Sequence, residues 1–316
     1  MAMKSYKGFD KKLKCRDFQY KIGKEYEMDG EIKVCSRGFH ACESPFDVFD
    51  HYTMIDSRFC EVEQDGNISK EDRGTKICSS KIKIKAELKL ADMINLGVEW
   101  LKEITSPEKI KTSIKDNSSG YGAQIGSSGD DAKIGSSGYD AQIGSSGNGA
   151  QIGSSGNGAQ IGSSGNGAKI GSSGYGAKIG SSGNGAQIGS SGYDAQIGSS
   201  GNDAQIGSSG NDAQIGSSGN NAQIGSSGDG AKISSSGYGA KIDNTGEDCV
   251  IMCAGINSVA KASKGSWITL SEWSYSDKKQ RYIPVCVKTE FVDGKKIKAD
   301  TYYSLKGGVF VESVNN

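Results

Sequence analysis

At 316 residues, with 47 glycines and only 8% aromatic residues, the chain is poorly suited to two ordinary globular cores. Thirty-seven basic side chains balance 37 acidic ones, which excludes the charge footprint of a nucleic-acid or anionic-membrane binder. No stretch approaches the roughly 18 apolar residues of a spanning helix, and the lysine-rich residues 1–14 lead into no apolar core, so a soluble cytoplasmic protein is expected.

Residues 1–85 read as a small α/β domain. Tyr6-Lys7-Gly8 lies on an early strand, followed by Gly23-Lys24-Glu25-Tyr26, then Gly38-Phe39-His40-Ala41 leading into Ser44-Pro45-Phe46-Asp47-Val48-Phe49, then Cys60-Glu61-Val62-Glu63. In outline this succession is similar to ADP-ribosyltransferase folds, where a strand with a Y-x-G or H-x-G motif precedes a G-[FIY]-Y-x-[AST] strand and a helix. The resemblance makes Tyr6, His40, Glu61 and Glu63 the candidate catalytic residues. This sequence departs from the pattern where His40 replaces the family's tyrosine, and Glu61 and Glu63 are nominal choices for the late glutamate.

The eight cysteines, with no secretory segment, are expected to be reduced and to act as small apolar residues. Cys35, His40, Cys42 and Cys60 have ligand chemistry suited to zinc, but their spacing matches no compact zinc module, so no metal or other cofactor is expected. Both histidines, His40 and His51, lie far from any G-x-S-x-G elbow, and there is no phosphate-binding G-x-x-x-x-G-K-[ST].

Residues 86–119 form a capping helix and linker. Leu90, Met93, Ile94, Leu96, Val98, Leu101 and Ile104 recur at helical spacing and stop before Ser106-Pro107.

Residues 120–263 carry a nonapeptide array, GYGAQIGSS, GDDAKIGSS, GYDAQIGSS and onward. Alanine falls at every ninth residue from Ala123 to Ala240 and isoleucine two places later, giving fourteen copies. A fixed short period of this kind predicts a stacked β-solenoid. Residues two apart on a strand share a side, so Ala123 with Ile125, Ala150 with Ile152, Ala186 with Ile188 and Ala213 with Ile215 point into the core. The residue between points to water. Gln124, Lys133, Gln142, Gln151, Gln160, Lys169, Lys178, Gln187 and Gln196 are therefore the candidate binding face. The GSSG corner supplies glycine for positive φ and serine hydroxyls for turn bonds or ladders.

Nine residues cannot close a coil, so the choice is two repeats in 18 residues or three in 27. Tyr121 with Tyr139 and Tyr175 with Tyr193 are 18 apart and favour the two-sided coil, although Asp194 and Asp212 at the same separation would repel. Calcium binding of the G-G-x-G-x-D type is not expected, because no repeat has that motif, and ice binding would need ranks of threonine.

Residues 264–316 alternate strand-like runs (residues 282–287, 302–305 and 309–311) with turns at Asp293-Gly294 and Gly307-Gly308, a small β cap.

The opening SYKGFDKKLKCRDFQYKIGKEYE, the CSRGFHAC element, the A-[QK]-I-G-S-S-G array and the closing KGSWITLSEW…RYIPVCVKTEFVDGKKIKADTYY together resemble an uncharacterised family of phages, prophages and gut or clostridial bacteria. The resemblance implies a role in conflict between phage and host. The expected function is a non-enzymatic binding or scaffold protein acting on a host protein, such as an anti-defence inhibitor. The alternatives are a transferase domain presented on a solenoid and a virion or surface component. No nucleic-acid or membrane partner is expected, and the regular outward ladders allow stacking into a homodimer.

Overall fold

The computed structural model describes residues 2–71, 74–105 and 120–313, and the linker expected at residues 106–119 lies outside the described residues. The chain forms two compact units, Met1–Trp100 and Leu101–Asn316.

The first unit is built from β1 (Met3–Phe9), β2 (Lys14–Cys15), β3 (Phe18–Gln19), β4 (Glu25–Glu27), β5 (Phe39–Cys42), β6 (Arg58–Lys70) and β7 (Lys76–Leu88). Five of these make one antiparallel sheet in the order β4-β7-β5-β1-β6, and β6 also pairs with β7, so the sheet closes on itself. Both faces of β1 are therefore covered, and Ser5, Tyr6, Lys7, Gly8 and Phe9 are all buried. An α/β domain was expected, but the unit is mainly β. The apolar run after Ser44-Pro45 forms only a five-residue 3-10 helix, Phe46–Asp50, too short to make a helical layer.

The predicted amphipathic helix is present as α1 (Leu90–Ile104), with Met93, Ile94, Val98 and Leu101 buried. Asp92 caps its start by accepting the Lys89 N–H at 2.8 Å. Gly97 is a poor helix former, but a Cβ there would run into the Phe46 ring.

In the second unit each repeat contributes one strand, from Gln124–Ser127 to Lys241–Asn244, and strands alternate between two parallel sheets. Each residue pairs with the one 18 later, for example Gln142 with Gln160 and Ile143 with Ile161. The coil is therefore two-sided, and the 27-residue alternative is excluded. Ala150, Ile152, Ala186, Ile188, Ala213 and Ile215 are fully or almost fully buried, Ala123 and Ile125 nearly so at the first coil. Cys249 fills the alanine position and is completely buried, as expected of a small apolar residue.

Two columns explain the repeat's other residues. The position before alanine is left-handed throughout: Asp131, Asp140, Asp194, Asp203, Asp212 and Asn221 have φ of 53–58°, and glycine takes the same place elsewhere. Asp, Asn and Gly are the residues that tolerate this conformation. From Gly147 onward the last glycine of the GSSG corner lies so close to the coil before it that, for example, a Cβ on Gly183 would overlap the carbonyl of Gly165.

The expected serine turn bonds are present at the first two corners, where Ser127 and Ser136 accept the N–H groups of Gly129 and Gly138 at 3.4 and 3.3 Å. From Ser145 onward the first serine of each pair is buried, and its hydroxyl has no hydrogen-bond partner among the described residues. An unsatisfied buried hydroxyl costs about 1–3 kcal/mol. Ser190→Ala is therefore expected to leave stability unchanged or raise it by up to about 1 kcal/mol in urea unfolding.

The corner edge is held instead by asparagines. Asn148 Oδ1 accepts the Asn166 N–H, and the relay continues through Asn184, Asn202 and Asn220 at 2.8–2.9 Å to end on Tyr238 at 3.0 Å.

The C-terminal segment continues both sheets. The hairpin of Trp267–Ser276 and Arg281–Phe291 extends the first, and Tyr303–Lys306 with Val309–Glu312 extends the second. Both predicted turns are present. Asp293 Oδ1 accepts the N–H groups of Lys295 and Lys296 at 2.8 Å, and Gly307 and Gly308 both take positive φ. A largely buried Asp243–Lys261 ion pair at 3.0 Å, with Lys241 and Lys261 over the Tyr302 ring, ties the segment to the second sheet.

Candidate binding surfaces

Because consecutive repeats alternate between sheets, the nine residues expected on one face divide between two. Gln124, Gln142, Gln160, Lys178 and Gln196 project from the first sheet, and Lys133, Gln151, Lys169 and Gln187 from the second. The single face expected from sequence is corrected to two, and the two differ.

On the first sheet the Gln and Lys side chains are exposed, and two residues on comes a column of glycines, Gly126, Gly144, Gly162, Gly180 and Gly198, with open space where a side chain would stand. The result is a trough of about 1370 Å³ with a backbone floor and an amide wall. At its C-terminal end the polar pattern gives way to Val250, Met252, Trp267 and Phe291, each 40–49% exposed, with the Trp267 and Phe291 rings 5.0 Å apart. On the second sheet the equivalent glycines are buried, and Gln187 is only 2% exposed. Residues 101–105 account for part of this cover, since a Cβ on Gly135 or Gly153 would meet Thr105. The first sheet is the open face.

The rod edges add two features. Tyr121, Tyr139, Tyr175 and Tyr193 stand exposed along one edge, and the Asn148-to-Asn220 relay runs along the opposite corner. The relay was missed in the sequence because Asn alternates with Asp and Tyr there and reads as an ordinary solvated turn.

In the first unit, β1, β5 and the chain around β2 and β3 enclose a cleft of about 720 Å³. Its wall is aromatic: Phe18, Tyr20 and Tyr26 pack edge to face with centroids 4.7–5.3 Å apart. Lys7 is buried in the cleft, with Nζ donating to the His40 carbonyl at 2.8 Å and to Cys15 Sγ at 3.5 Å, and Tyr52 also donates to Cys15 Sγ at 3.0 Å. His40 accepts the Cys35 N–H on Nε2 at 2.9 Å. Burial, then the nearby Lys76 charge, holds its imidazole below the usual histidine range. Burial pushes the Cys42 and Cys60 thiols up to about 12, so both are inert thiols at neutral pH.

Of the four transferase candidates, Tyr6 and His40 line this cleft. Glu61 and Glu63 face away into ion pairs with Lys4 at 2.9 Å and Lys85 at 2.8 Å, although Glu61 is the register partner of Tyr6. The zinc candidates are scattered, Cys35 exposed and Cys42 and Cys60 buried, and among the described residues no group of three or more could hold a metal. No helix among them is long and apolar enough to cross a membrane.

No curated protein and no solved structure matches the chain. Residues 3–96, which fall within the first unit, match a family described as Domain of unknown function (DUF7666).

Proposed function

We propose that the protein is a non-enzymatic binding and scaffold protein that holds a partner protein along the open face of its solenoid. The observation that carries this reading is the difference between the two faces. One sheet is covered, while the other keeps a glycine-floored trough that ends on the exposed Val250, Met252, Trp267 and Phe291. Contiguous exposed apolar residues rimmed by polar ones mark interaction sites, and aromatic anchors carry much of the energy of an interface. The resemblance to phage and prophage proteins directs the proposal to a host protein, with inhibition of a defence protein as the role.

Affinity purification of the full-length chain from a bacterial host extract tests it. Wild type should recover a stoichiometric protein, and the double change Trp267→Ser with Phe291→Ser should lose it. Equal recovery by both would move binding away from this patch.

A second reading, an NAD-dependent transferase in the first unit, is favoured by one observation, the shared cleft of Tyr6 and His40. Labelled NAD with host extract tests that reading. It requires transfer that His40→Ala abolishes.

A further inference from the structure

The cleft of the first unit holds a group that packing alone does not explain. Lys7 sits at the centre of the closed sheet, only 4% exposed, and no carboxylate lies within ion-pair distance of it among the described residues. Burying an ammonium without a counter-charge is costly, which favours the neutral amine. The groups in contact with its Nζ carry no carboxylate. The Phe9 and Tyr20 rings lie 5.4 and 5.6 Å from Nζ, and the titratable neighbours are Cys15, Cys42 and Arg16. Lys76, His40, His51, Tyr52, Asp17 and Glu27 also line the cleft. Desolvation, outweighing the Cys15 and Cys42 thiols, moves the amine below the ordinary lysine range.

Geometry then decides what a neutral amine would do there. It has two N–H groups and one lone pair. The two acceptors in reach, the His40 carbonyl and Cys15 Sγ, account for both N–H groups, and Cys15 is itself held by the Tyr52 hydroxyl. The lone pair is left without a donor inside a cleft with an aromatic wall and the cationic side chains Arg16 and Lys76 in its lining. A desolvated lysine with a free lone pair is the nucleophile of imine chemistry.

We propose that Lys7 is a carbonyl-reactive amine that takes a small planar aldehyde or ketone carrying an anionic group. In the step, the nitrogen lone pair attacks the carbonyl carbon and forms the C–N bond. The carbonyl oxygen then leaves as water with the two protons the amine carried, and a C=N double bond to Nζ remains. Nothing is oxidised or reduced, and hydrolysis reverses the step. This site is independent of the solenoid face and stands or falls without it.

The test uses the full-length chain at pH 7 with pyridoxal 5′-phosphate as the probe, borohydride to fix any imine, and peptide mass mapping. Lys7 is expected to carry more label than Lys4 and Lys11, both largely exposed and ion-paired, because burial lowers its amine and so raises the free-base fraction. Lys7→Met should remove that label without raising it elsewhere. If that variant does not fold, the ranking in the wild-type chain still decides. Labelling of Lys7 at or below that of Lys4 would overturn the proposal.

Discussion

Gly183→Ala should destabilise the solenoid by about 3 kcal/mol, while Gly180→Ala, three residues earlier in the same GSSG corner, should change stability by no more than about 0.5 kcal/mol. The two glycines look alike in sequence and differ only in what surrounds them. A Cβ at Gly183 would occupy the space of the Gly165 carbonyl and approach Asn166 N at 2.9 Å, so the coils would have to separate and lose ladder bonds on both sides. A Cβ at Gly180 would stand in the open trough with nothing within 4 Å, on a strand where alanine costs less backbone entropy than glycine. Urea unfolding followed by circular dichroism gives both values. Equal effects would mean that the coil stacking is wrong.

Ile188→Asp is the second large effect expected, about 4 kcal/mol or more. Ile188 is 1% exposed and lies near the middle of the stack between Ile170 and Ile206 in its own sheet. The change removes one of the apolar side chains that each coil contributes to the continuous core and leaves a carboxylate there with no partner. Coils communicate only with their neighbours, so the break should also be local at first. Hydrogen exchange should quicken in the strands beginning at Lys169, Gln187 and Gln205 before it quickens in the hairpin at Trp267–Ser276. Gln196→Asp on the open face serves as the control, with a change of no more than about 0.5 kcal/mol.

The core of this solenoid was legible in the sequence because its physics is periodic. Ala and Ile two apart can share only one face of a strand, and a nine-residue unit must stack. The two-sided coil was favoured by Tyr121 with Tyr139, and the register of Gln142 with Gln160 bears this out. What followed from coil length was missed. With 18 residues per coil, Gln124 and Lys133 lie on opposite sheets, so one regular ladder in sequence is two surfaces in space. The cover on the second sheet was also invisible, because Gly144 and Gly153 have identical sequence neighbours and differ only in whether Thr105 lies over them.

In the first unit the strands around Tyr6, His40 and Val62 were legible from their residues, but their closure into one ring depends on β6 pairing with β7 along a 13-residue hairpin with two register shifts. The ring also needs β1 to pair with β6, where Met3 meets Gln64, and local pattern does not encode such long-range pairing. The cleft suffered the same limitation. Lys7 lay inside the Tyr6-Lys7-Gly8 motif with no role of its own, and only the burial of both faces of β1 gives it a chemical role to test.

The central claim is that binding uses one particular face of a two-sided rod, and two deletions in the array test it most directly. Removing residues 157–174 takes out one whole coil and keeps the trough in line with Trp267 and Phe291. Removing residues 157–165 takes out half a coil, so the upstream strands of the covered sheet, beneath residues 101–105, join the strands that lead to the Trp267 patch. Both chains should fold, since the repeats are interchangeable. In affinity purification from host extract, the 18-residue deletion should hold the partner and the 9-residue deletion should lose it. If the 9-residue deletion holds the partner as well as the 18-residue one, the open face is not the binding surface.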